Sequence, residues 1–237
     1  MRIATVAICL IIAAAPAIAG RAEEDALLAA AARDFANGPS MEADALAASH
    51  GRVVRQGEIL TLSLTHGSPV VLTGNSAACN DGPGNCLRFE LAADLPTRHA
   101  YLVAKFGYEG CADQLLIDDR SGRQTLFGAV PVFSPDSQRL LIQNECEADD
   151  HDNHFEIWRR RGDGWALEWA YTDKQAYAAD PILEGPYHTE VTAWVGSRVT
   201  LAFSTREGSR DHGRAWTGTL VHDSEGWKLL ASPPPSK

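Results

Sequence analysis

The sequence predicts a mainly β chain, built of repeated antiparallel four-stranded sheets behind a short helical N-terminus. Three observations carry this. Short alternating apolar runs, broken by turn residues, fill the chain from Glu58 onward. Three hairpins of one kind recur, with glycines at 122, 164 and 226. Ahead of them Leu27, Leu28, Ala31 and Phe35 return at three- and four-residue spacing in an alanine-rich stretch, which predicts a helix.

In chain order, Met1-Arg2 precedes an apolar run from Ile3 to Ile12 and the small-x-small site Ala17-Ile18-Ala19. This pattern predicts a signal peptide over 1–19 and an exported protein, periplasmic or extracellular, with no membrane span after cleavage. Export would remove Arg2 and no acid, taking the formal charge of the 237-residue chain from −10 to −11. Such an acidic balance excludes a basic nucleic-acid binder. A helical segment over 20–57 follows, in which residues 22–49 read as helix, interrupted by Asn37-Gly38-Pro39 and resumed by Met41 to Ser49. His50 then reads as a solvated cap.

Residues 58–231 read as one β domain, and 232–237 as a Pro-rich tail. A first hairpin pairs Ile59–Leu64 with Val70–Thr73. The recurring hairpins are Leu115–Leu126, Ile157–Leu167 and Leu220–Leu229, each a strand, a polar turn with glycine and a second strand. Their first two glycines lie 42 residues apart, a propeller-blade period. Hairpins of a second kind alternate with them, in 87–106, 131–142 and 189–203. The chain thus reads as strands A-B-C-D three times, from about 87, 130 and 189. Trp165, Leu167, Trp169 and Tyr171 alternate with smaller or polar residues and predict one heavy, core-facing apolar side.

The turn Val132-Phe133-Ser134-Pro135-Asp136-Ser137-Gln138-Arg139-Leu140 resembles the Phe-Ser-Pro-Asp-Gly-basic turn of β-propeller repeat proteins, the periplasmic Tol-type and WD-like families among them. Ser137 stands where those repeats carry glycine. The resemblance implies antiparallel propeller-like blades, about three and a half of them, with a β-sandwich as the alternative; it implies no activity.

Four cysteines remain after export: Cys79, Cys86, Cys111 and Cys146. An even number in an oxidising compartment predicts two disulfides. Cys79 and Cys86 flank a polar turn and pair by that reading, leaving Cys111 with Cys146. Zinc on four cysteines is the disfavoured alternative, because the spacings are not those of a zinc site.

The long connections join strands B and C, over 107–112, 144–153 and 205–213. The middle one is densest in chemistry. Asp150, His151, Asp152 and His154 could ligate a divalent ion, calcium through oxygen or zinc through nitrogen, although the loop is no EF-hand and a solvated acidic loop is the plainer reading. Glu147, Asp149 and Asp152, with Asp211 and His212 of the third loop, form a candidate binding edge. No serine-hydrolase elbow, phosphate loop or GxGxxG is present, so the sequence assigns no catalytic residue and requires no cofactor. The expected function is a non-enzymatic binding protein with a basic protein partner. A metal-dependent hydrolase built on 145–154 is the alternative.

Overall fold

A computed structural model describes residues 15–37, 42–80, 86–107, 112–144, 153–172, 187–205 and 215–231. Two helices come first, α1 (Ala15–Asn37) and α2 (Glu42–Ala48). The first begins seven residues earlier than expected. Alanine-rich sequence favours helix throughout Ala15–Arg21, and Pro16 sits in the first turn, where its missing N–H costs nothing. Glu24, Leu28 and Ala31, at helical spacing, form the buried face of α1.

Four antiparallel sheets follow, each a meander of sequential neighbours. The first joins β1 (Val53–Gln56), β2 (Ile59–Leu62) and β3 (Val70–Thr73). The second joins β4 (Arg88–Leu95), β5 (Ala100–Phe106), β6 (Ala112–Asp118) and β7 (Gln124–Phe127). The third joins β8 (Val132–Phe133), β9 (Arg139–Gln143), β10 (Asn153–Arg161) and β11 (Gly164–Thr172). The fourth joins β12 (Tyr187–Val195), β13 (Arg198–Thr205), β14 (Ala215–Asp223) and β15 (Gly226–Ala231). The last three are the A-B-C-D sets that the sequence predicts. Strand β1 lies inside the segment read as helical, where four residues are too few to display an alternating pattern.

One backbone hydrogen bond recurs in all four sheets. The residue at the end of strand C donates its N–H to the carbonyl just before strand B: Asp119 to His99, Arg160 to Gln138 and His222 to Ser197, each at 2.9 Å. Ser63 donates to Arg52 in the same way, also at 2.9 Å. That places β1, β2 and β3 in the positions of strands B, C and D. Ahead of β1 in the chain stands α2, which packs mainly against β4. Its first residue, Glu42, pairs with Arg55 near the far end of β1, while Ser49, just past its last turn, accepts the N–H of Arg52 at 2.9 Å. The helix therefore runs antiparallel to β1.

The chain divides into two compact units, Met1–Lys105 with Leu115–Gln124 and Phe106–Gln114 with Thr125–Lys237. In the first, Leu60, Leu62 and Leu72 of the three-stranded sheet pack with Leu91, Tyr101, Val103 and Ile117, and Ala45 of α2 joins them. In the second, Leu141, Phe155 and Ile157 pack on Val199, Leu201, Phe203, Trp216 and Trp227, so the third and fourth sheets meet face to face. Burying a side chain of this size contributes about 1.5–3 kcal/mol.

The heavy side expected over Trp165–Tyr171 is broken. Trp169 and Tyr171 join the core, but Leu167 is 48% exposed. The register explains this: Ile157 pairs with Trp169 and Trp158 with Leu167, which leaves Glu168 as the extra residue of a β-bulge. Alternation is lost there, and Glu168 joins its neighbour Trp169 in reaching the fourth sheet.

Candidate functional site

The residues singled out in the sequence divide by place. Cys79 and Cys86 are joined, with an S–S distance of 1.97 Å. Cys111, Cys146, Glu147, Asp149, Asp150, His151, Asp152, Asp211 and His212 lie outside the described residues, and so does the side chain of His154, which falls within β10. Among the described residues no group of three or more His, Cys, Asp or Glu is placed to hold a metal ion, and no helix is long and apolar enough to cross a membrane.

The strands that carry those loops are described, and their ends come together. Gln143, last residue of β9, donates its Nε2 to the carbonyl of Thr189 near the start of β12 at 2.7 Å. At the opposite end of the same two sheets, Arg139 of β9 lies over the ring of Trp227 of β15 at 5.9 Å. The third and fourth sheets thus pack with like ends together. Both connections from strand B to strand C, over 144–153 and 205–215, leave from the Gln143 side.

An ionic network holds the Arg139 side. Arg139 donates Nε to Glu168 Oε2 at 2.7 Å and Nη2 to Oε1 at 3.2 Å, and Trp227 Nε1 donates to Oε2 at 3.2 Å. Burial works to raise the Glu168 carboxyl, but the hydrogen bonds from Arg139 and Trp227, with the charges of Arg139 and Arg159, hold it below the ordinary glutamate range. The β-bulge at Glu168 makes this contact possible. Nearby, Ser134 Oγ donates to Asp136 at 2.6 Å, and Asp136 accepts the N–H of Gln138 at 3.0 Å, closing the Ser-Pro-Asp turn.

The most concentrated buried chemistry in the first unit was not anticipated. Arg52 donates to Asp94 Oδ1 at 3.0 Å and to Asp119 Oδ2 at 2.8 Å. Both carboxylates are buried, and the guanidinium lies over the ring of Tyr101 at 4.9 Å. Burial pushes the Asp94 carboxyl up to about 6, against the pull of Arg52; the charges of Asp119 and Glu24 add to the rise, and that of His50 opposes it. Tyr101, also raised by burial, donates its hydroxyl to the carbonyl of Ser63. His99 Nδ1 stands 3.5 Å from Asp119 Oδ1. Beside this cluster Glu24 of α1 accepts the Thr97 N–H and hydroxyl, each at 2.6 Å, and pairs with buried Arg98 at 2.6 Å.

These groups come from α1, the turn before β1, the end of β4, the turn before β5, β5 itself and the end of β6. No spacing in the sequence joins them. The one available signal was charge set directly after apolar runs: Asp94 follows Leu91-Ala92-Ala93, and Asp118-Asp119 follows Leu115-Leu116-Ile117.

No protein-family model matches the chain, and neither a curated protein nor a solved structure matches it.

Proposed function

We propose that the chain is an exported, non-enzymatic interaction module. Its sheets serve as propeller-like blades, and its loops between strands B and C recognise a basic protein partner. The observation that carries this reading is the like-ended packing of the third and fourth sheets, seen in the Gln143–Thr189 hydrogen bond at 2.7 Å. It supports a single recognition edge, because the connection that carries Glu147, Asp149 and Asp152 and the one that carries Asp211 and His212 both leave from that side. A loop set on a rigid scaffold is where binding concentrates. The surplus of 31 acidic over 21 basic residues favours a cationic partner through charge complementarity and steered encounter.

The test is cross-linking of the mature chain in its own extracellular or envelope fraction, beside two triple variants. One is Glu147→Ala/Asp149→Ala/Asp152→Ala; the other removes the same charge elsewhere, at Asp44, Glu58 and Glu225. The reading expects one basic protein captured by the wild type and by the second variant, and lost with the first. Near one equivalent of metal per chain, removed by Asp150→Ala/His154→Ala, together with hydrolytic activity, would overturn it in favour of a metal-dependent hydrolase.

A further inference from the structure

The cluster around Arg52 joins parts of the chain that share no strand pairing. Arg52 belongs to the turn between α2 and β1, whereas Asp94 and Asp119 belong to the second sheet, and Glu24 to α1. Its charges do not balance. Four carboxylates, Glu24, Asp25, Asp94 and Asp119, meet two guanidiniums, Arg52 and Arg98. Two imidazoles complete the set: His99, 3.5 Å from Asp119, and His50, whose charge acts on Asp94. Tyr101 contributes its ring and hydroxyl. In the other repeats the places of His99 and Asp119 are taken by Gln138 with Arg160 and by Ser197 with His222, so no other described repeat buries an acid there.

One oxygen stands apart. Asp119 Oδ1 is buried and, among the described residues, accepts no hydrogen bond. A buried carboxylate oxygen with no donor is costly. The His99 imidazole stands 3.5 Å from Asp119 Oδ1, while Arg52 is bonded to the other oxygen of the same carboxylate at 2.8 Å.

We propose that this cluster is an acid-tightened latch. As the medium acidifies, Asp94 takes up a proton, Arg52 is left to Asp119, and the surplus negative charge between the α2–β1 turn and the second sheet falls. The latch holds the first unit together more firmly in mild acid than at neutral pH. The direction follows from linkage. An aspartate whose folded value is raised from 3.8 to about 6 contributes stability that is fully present below 3.8 and is lost as pH rises through 6. This is opposite to the usual paired carboxylate.

The test is urea unfolding of the full chain at pH 8 and pH 5, comparing wild type, Asp94→Asn and the exposed control Asp223→Asn. On acidification the wild-type folding constant should gain about tenfold more than that of Asp94→Asn, with Asp223→Asn following the wild type. Equal gains in wild type and Asp94→Asn would overturn the latch. Should Asp94→Asn fail to fold, carbon-13 carboxyl NMR of the wild type decides. A midpoint near 6 for Asp94 supports the latch; a midpoint below about 4 overturns it.

Discussion

At the scale of single residues, one polar contact between sheets depends on a departure of the backbone from regularity. Glu168 reaches Arg139 and Trp227 because a β-bulge turns it toward the fourth sheet. Replacing it with glutamine keeps the shape and removes the charge, which should cost about 1.5–3 kcal/mol at pH 7, measured by urea unfolding. The pH dependence is also set. Glu168 is held below its ordinary value, so its contribution is present above the unfolded pKa and is lost as pH falls through the folded one. Glu168→Gln should therefore flatten the acid limb of the stability profile, whereas Asp94→Asn removes a gain on that same limb. Ser137 shows what a sequence can and cannot display at this scale. It adopts φ +55°, a conformation best suited to glycine, so the Ser-Pro-Asp turn forms here without that residue. The motif was legible because all its contacts lie within six residues. The cluster of Arg52, Asp94 and Asp119 was not, since its members stand 42 and 67 residues apart and each alone reads as a surface charge.

At the scale of elements, the later strands were easier to read than the first. Three A-B-C-D sets were visible in alternation and turn residues, because each strand pairs with its neighbour in sequence. The first sheet hid its likeness to the others: β1 is four residues long and follows a helix, and only a backbone hydrogen bond shows that β1 and β2 stand as strands B and C. The long helix α1 depends on specific polar contacts as well as its apolar face. Glu24 receives two donors from Thr97 and one from Arg98, with the Glu24 and Arg98 side chains 4% and 3% exposed. Removing one partner of such a pair leaves a buried charge and costs about 3–5 kcal/mol. Glu24→Ala should therefore lower stability by that amount and speed amide exchange along Leu27–Arg33, read by hydrogen-exchange mass spectrometry. A double change, Glu24→Leu with Arg98→Met, removes both charges together and should recover much of the loss.

At the scale of the whole molecule, repetition does what no local motif does: it sets loops that are distant in sequence at equivalent ends of their sheets. Sequence period alone suggested this arrangement, and the recurrent hydrogen bond before strand B gives it a structural basis in all four repeats. The loop chemistry stayed less legible than the scaffold, because an acidic run such as 145–154 reads alike as a solvated surface, a metal site or a docking edge. The account depends most directly on the loops at 144–153 and 205–215 rising from one side of the second unit. A spin–spin distance between labels on unnatural residues at 153 and 215, the first positions of β10 and β14, measures this without disturbing the cysteines. With sheets packed about 10 Å apart and like ends together, the account predicts a distance of about 10–25 Å. A distance of about 40 Å, which requires one sheet to be turned end for end, would contradict it.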